Sequence, residues 1–145
     1  MSYKRIRLLL AYDPSGGLCA GVVPRMKEML EHRAFDVDTY EIGNPTPDLE
    51  PYKGVVLGCA VRGLGLRGDV PTQALLDFVS VAEGLDEKKV ALFTVCTALP
   101  GKMLLRLREA VEARGSTVVV MHAYNRFRPE DAEEVLPAEC MVRIR

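Results

Sequence analysis

Four cysteines, two glycine-rich loops and two loop arginines carry most of the chemistry open to this sequence. Cys19, Cys59, Cys96 and Cys140 are widely spaced and form no C-x2-C pair, so no metal site is expected. In a reducing compartment they should remain free thiols. Asp13-Pro-Ser-Gly-Gly-Leu-Cys19 runs from an apolar stretch toward a helical one. Its glycines let backbone N–H groups turn inward, and a helix start adds partial positive charge, so the loop suits a phosphate. A thiol at Cys19 near that helix start would have its thiolate stabilised. Arg62 and Arg67, in Arg62-Gly-Leu-Gly-Leu-Arg-Gly68, suit bidentate pairing with a phosphate or carboxylate. Cys19 and Arg25 also form a C-x5-R pattern, a spacing able to wrap an oxyanion between a thiolate, loop amides and an arginine. The pattern is short enough to arise by chance, and Val22-Val23-Pro24 is stiff where such a cradle wants free amides.

These residues are placed by an alternation of two hydrophobic periods. Lys4–Tyr12, Gly54–Ala60, Lys88–Cys96 and Ser116–His122 read as buried strands, and Phe35–Ile42 as a half-buried edge strand. Helical spacing covers Cys19–Glu31, with regular helix expected from about Val23 because Pro24 is tolerated only in a first turn. Further helices are expected at Val70–Ala82, Lys102–Arg114 and Pro129–Val135, with a short strand at Met141–Ile144. Between Ile42 and Lys53 there is no room for a full crossover helix. The second strand should therefore lie at an edge, and the chain should loop back to the other side of the first.

Buried strands alternating with helices imply a three-layer α/β/α sandwich around a five-stranded parallel sheet. Right-handed crossovers give the order 2-1-3-4-5. Such a sheet binds its ligand at the carboxyl ends of the strands, where the order reverses. Here the loops Asp13–Cys19, Ala60–Gly68 and Thr97–Gly101 converge there. Cys19, Cys59 and Cys96 should share that rim. Cys59 and Cys96 read as small apolar residues capping buried strands. His122 reads as structural, and His32 as a complement to the first helix's dipole. Asp13 has no acidic neighbour in tandem and the third strand ends in Cys-Ala, so a phosphoaspartate receiver is excluded.

At 145 residues the chain fits one domain, taken as residues 1–145. With 48% apolar residues and a mean hydropathy of +0.05, it can build a core. Lysine and arginine total 19 against 20 aspartates and glutamates, so the near-zero balance argues against nucleic-acid or membrane-surface binding. No apolar run approaches the ~20 residues of a membrane span. Met1–Arg5 leads into a strand without a signal-peptide pattern, so a cytoplasmic protein is expected.

The segment Leu8-Leu-Leu-Ala-Tyr-Asp-Pro-Ser-Gly-Gly-Leu-Cys-Ala20 resembles the opening of a flavodoxin, where a [S/T]-x-T-G-x-[T/S] loop wraps the FMN phosphate. Gly17 falls on the motif glycine and Cys19 on the last hydroxyl position, with Ser15 supplying a hydroxyl within the loop. Tyr52–Gly63 resembles the family's third strand and flavin-flanking loop, and Lys89–Cys96 its fourth strand. The resemblance implies an FMN-binding flavoprotein in electron transport, or an oxidoreductase component with a redox partner protein. It places the phosphate on Ser15, Gly16, Gly17, Leu18 and Cys19, and the ring between Ala60, Val61, Arg62 and Gly63 on one side and Thr97, Ala98 and Gly101 on the other. Two alternatives stand beside it. One is the same fold without FMN, binding a small anionic ligand or a partner protein through Arg62 and Arg67. The other is a thiol-based phosphatase or arsenate reductase using Cys19 and Arg25.

Overall fold

The computed structural model describes residues 5–15, 17–60, 71–96, 102–125, 136–140 and 143–144. Among these residues are five strands: β1 (Ile6–Tyr12), β2 (Phe35–Glu41), β3 (Gly54–Ala60), β4 (Lys89–Cys96) and β5 (Thr117–Asn125). Three helices lie between them: α1 (Leu18–His32), α2 (Gln73–Val81) and α3 (Met103–Glu112). All strand pairs are parallel and the order is β2-β1-β3-β4-β5, as the hydrophobic pattern predicts.

The central strands are apolar because both of their faces are covered. Every residue of β3 is buried, as are Leu8 to Tyr12 of β1 and Val90 to Cys96 of β4. Leu8, Leu10, Val56 and Phe93 point toward α1 and the C-terminal helical segment. Leu9, Val55, Leu57 and Leu92 point toward α2 and α3. The edge strand β2 keeps Phe35, Val37 and Tyr40 buried and exposes Asp36, Asp38, Thr39 and Glu41. Between β3 and β4, Gly58 lies opposite Phe93. A Cβ at Gly58 would sit 2.2 Å from the Phe93 ring, so that ring occupies the space a side chain would need.

Two boundaries differ most from the sequence expectation. The first helix begins at Leu18 rather than near Val23. Gly17, at φ 78, turns the chain straight into it, and Cys19, Val22, Val23, Met26 and Leu30 form its buried stripe. Pro24 removes the bond to the carbonyl four residues back. Ala20 and Pro24 both lie on the exposed side, where water can take that carbonyl, so the helix runs through. Strand β5 continues past His122 to Asn125, because Thr94, Val95 and Cys96 of β4 keep pairing with it.

The strand expected at Met141–Ile144 is overturned, since the described residues there are helical. The Ile144 N–H donates to the Cys140 carbonyl at 2.9 Å, and Arg143 pairs with Glu139 at 3.0 Å. Leu136, Cys140 and Ile144 recur four residues apart and all are fully buried, so the apolar signal has a helical period. The helix expected at 129–135 lies outside the described residues. Among the described residues, no helix is long and apolar enough to cross a membrane.

Candidate functional site

The strand order reverses between β1 and β3, and the loop leaving β1 opens there. The Asp13 N–H donates to the Gly58 carbonyl at 3.0 Å, tying the loop's first residue to β3. The Asp13 side chain is 3% exposed. Its Oδ1 accepts from the Ser15 N–H at 2.9 Å and from the Ser15 hydroxyl at 2.6 Å. An aspartate that bonds the backbone two residues on is a turn-forming arrangement, which is why Asp-Pro-Ser folds this way locally. The Gly17 N–H then donates to the Pro14 carbonyl at 3.1 Å, and Gly17 takes the left-handed conformation.

Among the described residues, no side chain caps the start of α1. Its first internal bond is from the Gly21 N–H to the Gly17 carbonyl at 3.3 Å, so the amides of Leu18, Cys19 and Ala20 precede the helical ladder. Among the described residues, a Cβ at Gly17 would meet nothing within 4 Å. An uncapped helix start beside a left-handed glycine fits an anion such as the phosphate of FMN. Ser15 fits less well, because its hydroxyl proton and its amide are both directed at Asp13.

Around this loop the side chains are locked. Tyr12, the last residue of β1, donates its hydroxyl to Glu41 of β2 at 2.9 Å. Burial, reinforced by Glu41, pushes that phenol up to about 12. Cys19 is 0% exposed, and burial pushes its thiol well above the ordinary range, with Cys59 and Asp13 adding to the rise. The expected stabilised thiolate at Cys19 is therefore overturned. The earlier helix start rotates this residue onto the buried stripe, where desolvation outweighs the helix-terminal charge. The C-x5-R reading falls with it. The five residues between Cys19 and Arg25 are helical, and Arg25 is exposed and paired with Glu28 at 3.1 Å.

Cys59 and Cys96 behave as small buried strand-end residues. Burial raises Cys59 to about 11 and also raises Cys96. The Cys59 sulfur lies 3.9 Å from that of Met103, and the Thr94 hydroxyl donates to the Cys59 carbonyl at 2.8 Å. The three rim cysteines do not share one site. Cys19 packs under α1, whereas Cys59 and Cys96 pack on the opposite face under α2 and α3. Among the described residues no cluster of histidine, cysteine and acidic side chains could hold a metal. His122 packs against Tyr124, with ring centroids 4.4 Å apart and the planes tilted by 50°.

Of the site residues expected from sequence, Ser15, Gly17, Leu18 and Cys19 lie together at the start of α1, and Ala60 ends β3. Gly16, Val61, Arg62, Gly63, Arg67, Thr97, Ala98 and Gly101 lie outside the described residues. Asp13 was the residue missed. An Asp followed two positions later by Ser carries a turn signal in the sequence itself. A separate groove of about 300 Å³ lies where the chain passes from β2 to β3 without a helix, bounded by Tyr40, Ile42, Phe78 and Val81. It is apolar and lies beside α2 rather than at the loop leaving β1.

Comparison with known proteins gives a consistent answer at the level of architecture. No model of a protein family matches the sequence, and no curated protein matches it. Solved structures do match. The two-electron reduced flavodoxin of Megasphaera elsdenii superposes with a TM-score of 0.75 at 19% identity, over 92% of this chain and 96% of that one. Oxidised flavodoxin 1 of Bacillus cereus gives 0.72 at 22%, over 94% and 97%. Fusobacterium nucleatum flavodoxin bound to flavin mononucleotide gives 0.65 at 13%, over 95% and 94%. The chain has the flavodoxin fold: the same five-stranded sheet, the same order and the same flanking helices.

Proposed function

We propose that this chain binds FMN at the β1–β3 switch point and acts in electron transfer, alone or as the flavin-bearing component of a redox pair. The observation that carries the reading is the uncapped start of α1, entered through a left-handed glycine at the end of the loop leaving β1. Flavodoxins of the same fold, one of them determined with flavin mononucleotide bound, support it. Bound FMN would supply the electron-accepting ring, while the protein supplies position and electrostatics. Gly17 and the amides of Leu18 and Cys19 would hold the phosphate. The loops beyond Ala60 and Cys96 would flank the ring, and a partner protein would exchange electrons there. Four free cysteines suit a reducing cytoplasm.

The test is a visible absorbance spectrum of the purified protein, before and after adding FMN and dialysing. Retained flavin bands are expected. A flat spectrum and no binding of added FMN would refute the reading.

A further inference from the structure

We propose that the groove beside α2 is a docking site for a basic amphipathic helix of a partner polypeptide. The segment from Ile42 to Lys53 carries β2 to β3 without a helix, so among the described residues α2 has no helical neighbour on its β2 side. It nevertheless presents a stripe there. Ala74, Asp77, Phe78 and Val81 all line the groove of about 300 Å³. Their spacings of three, four and seven residues put them on one face of α2, the periodicity with which one helix meets another. Tyr40 lines the groove from β2, with its ring centroid 5.4 Å from that of Phe78. Val81 is 62% exposed, the most of any large apolar side chain described. Val81 and Thr46 also line a second hollow of about 380 Å³, which carries the groove on to Asp48 and Glu83.

Every charged side chain lining the two hollows is acidic: Asp77, Asp48 and Glu83. Asp77 accepts from the Gln73 amide at 2.7 Å and Asp48 from the Glu50 N–H at 3.0 Å, both neutral donors. Among the described residues no ion pair reaches any of the three. The groove is therefore apolar within and negative at its edges, on a chain whose net charge is only −1. Charge complementarity sets the occupant: apolar side chains against the α2 stripe, flanked by lysines or arginines facing the carboxylates. A second copy seated groove on groove is opposed, because two-fold pairing would set these carboxylates against their own counterparts.

The experiment uses dye-labelled helical peptides of about 18 residues, some five turns. One carries leucines on one face and lysines along its flanks. A second has glutamates for the lysines, and a third scrambles the first so that no apolar face forms. Fluorescence anisotropy follows their binding to wild type, Val81→Ser and Asp77→Lys/Glu83→Lys, with thermal melts confirming that each variant folds. Asp77→Asn/Glu83→Gln serves if charge reversal disturbs folding. The lysine peptide should bind wild type, with a Kd that rises roughly fivefold or more in Val81→Ser and roughly tenfold or more on charge reversal. The glutamate and scrambled peptides should bind wild type at least about tenfold more weakly. Failure of the lysine peptide to bind would overturn the proposal. So would equal binding of the scrambled peptide, which would reduce the effect to charge alone, or equal binding by the variants, which would place it elsewhere. A wild-type dimer in sedimentation that Val81→Ser dissolves would also overturn it, in favour of a second copy in the groove. No flavin enters these assays, so their outcome is separate from that of the FMN reading.

Discussion

Replacing Gly58 by alanine should disturb both the core and the site loop. The added Cβ would lie 2.2 Å from two atoms of the Phe93 ring and 2.5 Å from a third. Both residues sit in buried stretches of central strands, so neither backbone has room to withdraw. Overpacking of this kind typically costs ~1–3 kcal/mol. For a chain of this size that lowers the melting temperature by roughly 3–10 °C. The Gly58 carbonyl also accepts from Asp13, so any shift of β3 moves the loop that leads into α1. FMN affinity should fall as well. Removing the ring edge supplies the control. In Gly58→Ala/Phe93→Leu the new methyl group occupies part of the vacated space, and the double mutant should be more stable than the sum of the two single losses by roughly 1 kcal/mol or more. Thermal melts and flavin titrations of the three variants measure this. Simple additivity, or a Gly58→Ala protein as stable as wild type, would refute the reasoning.

Gly17→Ala should lower stability by only ~1 kcal/mol, the cost of a left-handed conformation, because its Cβ would meet no described residue within 4 Å. FMN affinity should drop while riboflavin affinity holds, which parallel titrations would show. The four buried thiols should resist an aromatic disulfide reagent in the native protein and all react after denaturation, as a timed labelling series would reveal. Cys59 rises from its ordinary 9.0 to about 11 on folding, so its contribution is fully present below pH 9 and is lost as pH climbs toward 11. Melting temperature should fall across that window, and less steeply in Cys59→Ala. Asp38 is shifted the other way, held low chiefly by the Tyr52 hydroxyl at 2.7 Å and then by Arg7. Its contribution is present above the ordinary carboxylate range and is lost on acidification through its lowered value, so Asp38→Asn should flatten the acid limb of a pH–melting curve.

The sheet was legible because β1, β3 and β4 are long apolar runs that make sense only if buried on both faces. The edge position of β2 followed from its charged alternation and from the short link after it. The start of α1 was misplaced because Pro24 carries a strong local penalty, whereas the compensating exposure of Ala20 is a tertiary fact. Met141-Val-Arg-Ile144 mimics a strand within four residues, and its helical period emerges only when Leu136 and Cys140 are counted with Ile144. At the site, the paired glycines announced the loop. The inward rotation of Cys19 depended on the helix phase, so an error of five residues in the start turned a buried thiol into an apparently reactive one. The partnership of Asp13 with Ser15 is local, and it was the legible feature that went unread.

The charged side of β2 has a consequence for crowded solution. Among the described strands β2 pairs with β1 alone, so its outer backbone groups could template a strand from another molecule. Asp36 and Asp38 stand along it, each drawn into an ion pair by Arg5 or Arg7 at 2.7 and 3.0 Å. A second copy approaching edge to edge would bring its own carboxylates against these and strip water from all of them. The charged residues that mark β2 as an edge thus make edge-to-edge growth of the sheet costly, because their water and ion pairs would have to be given up.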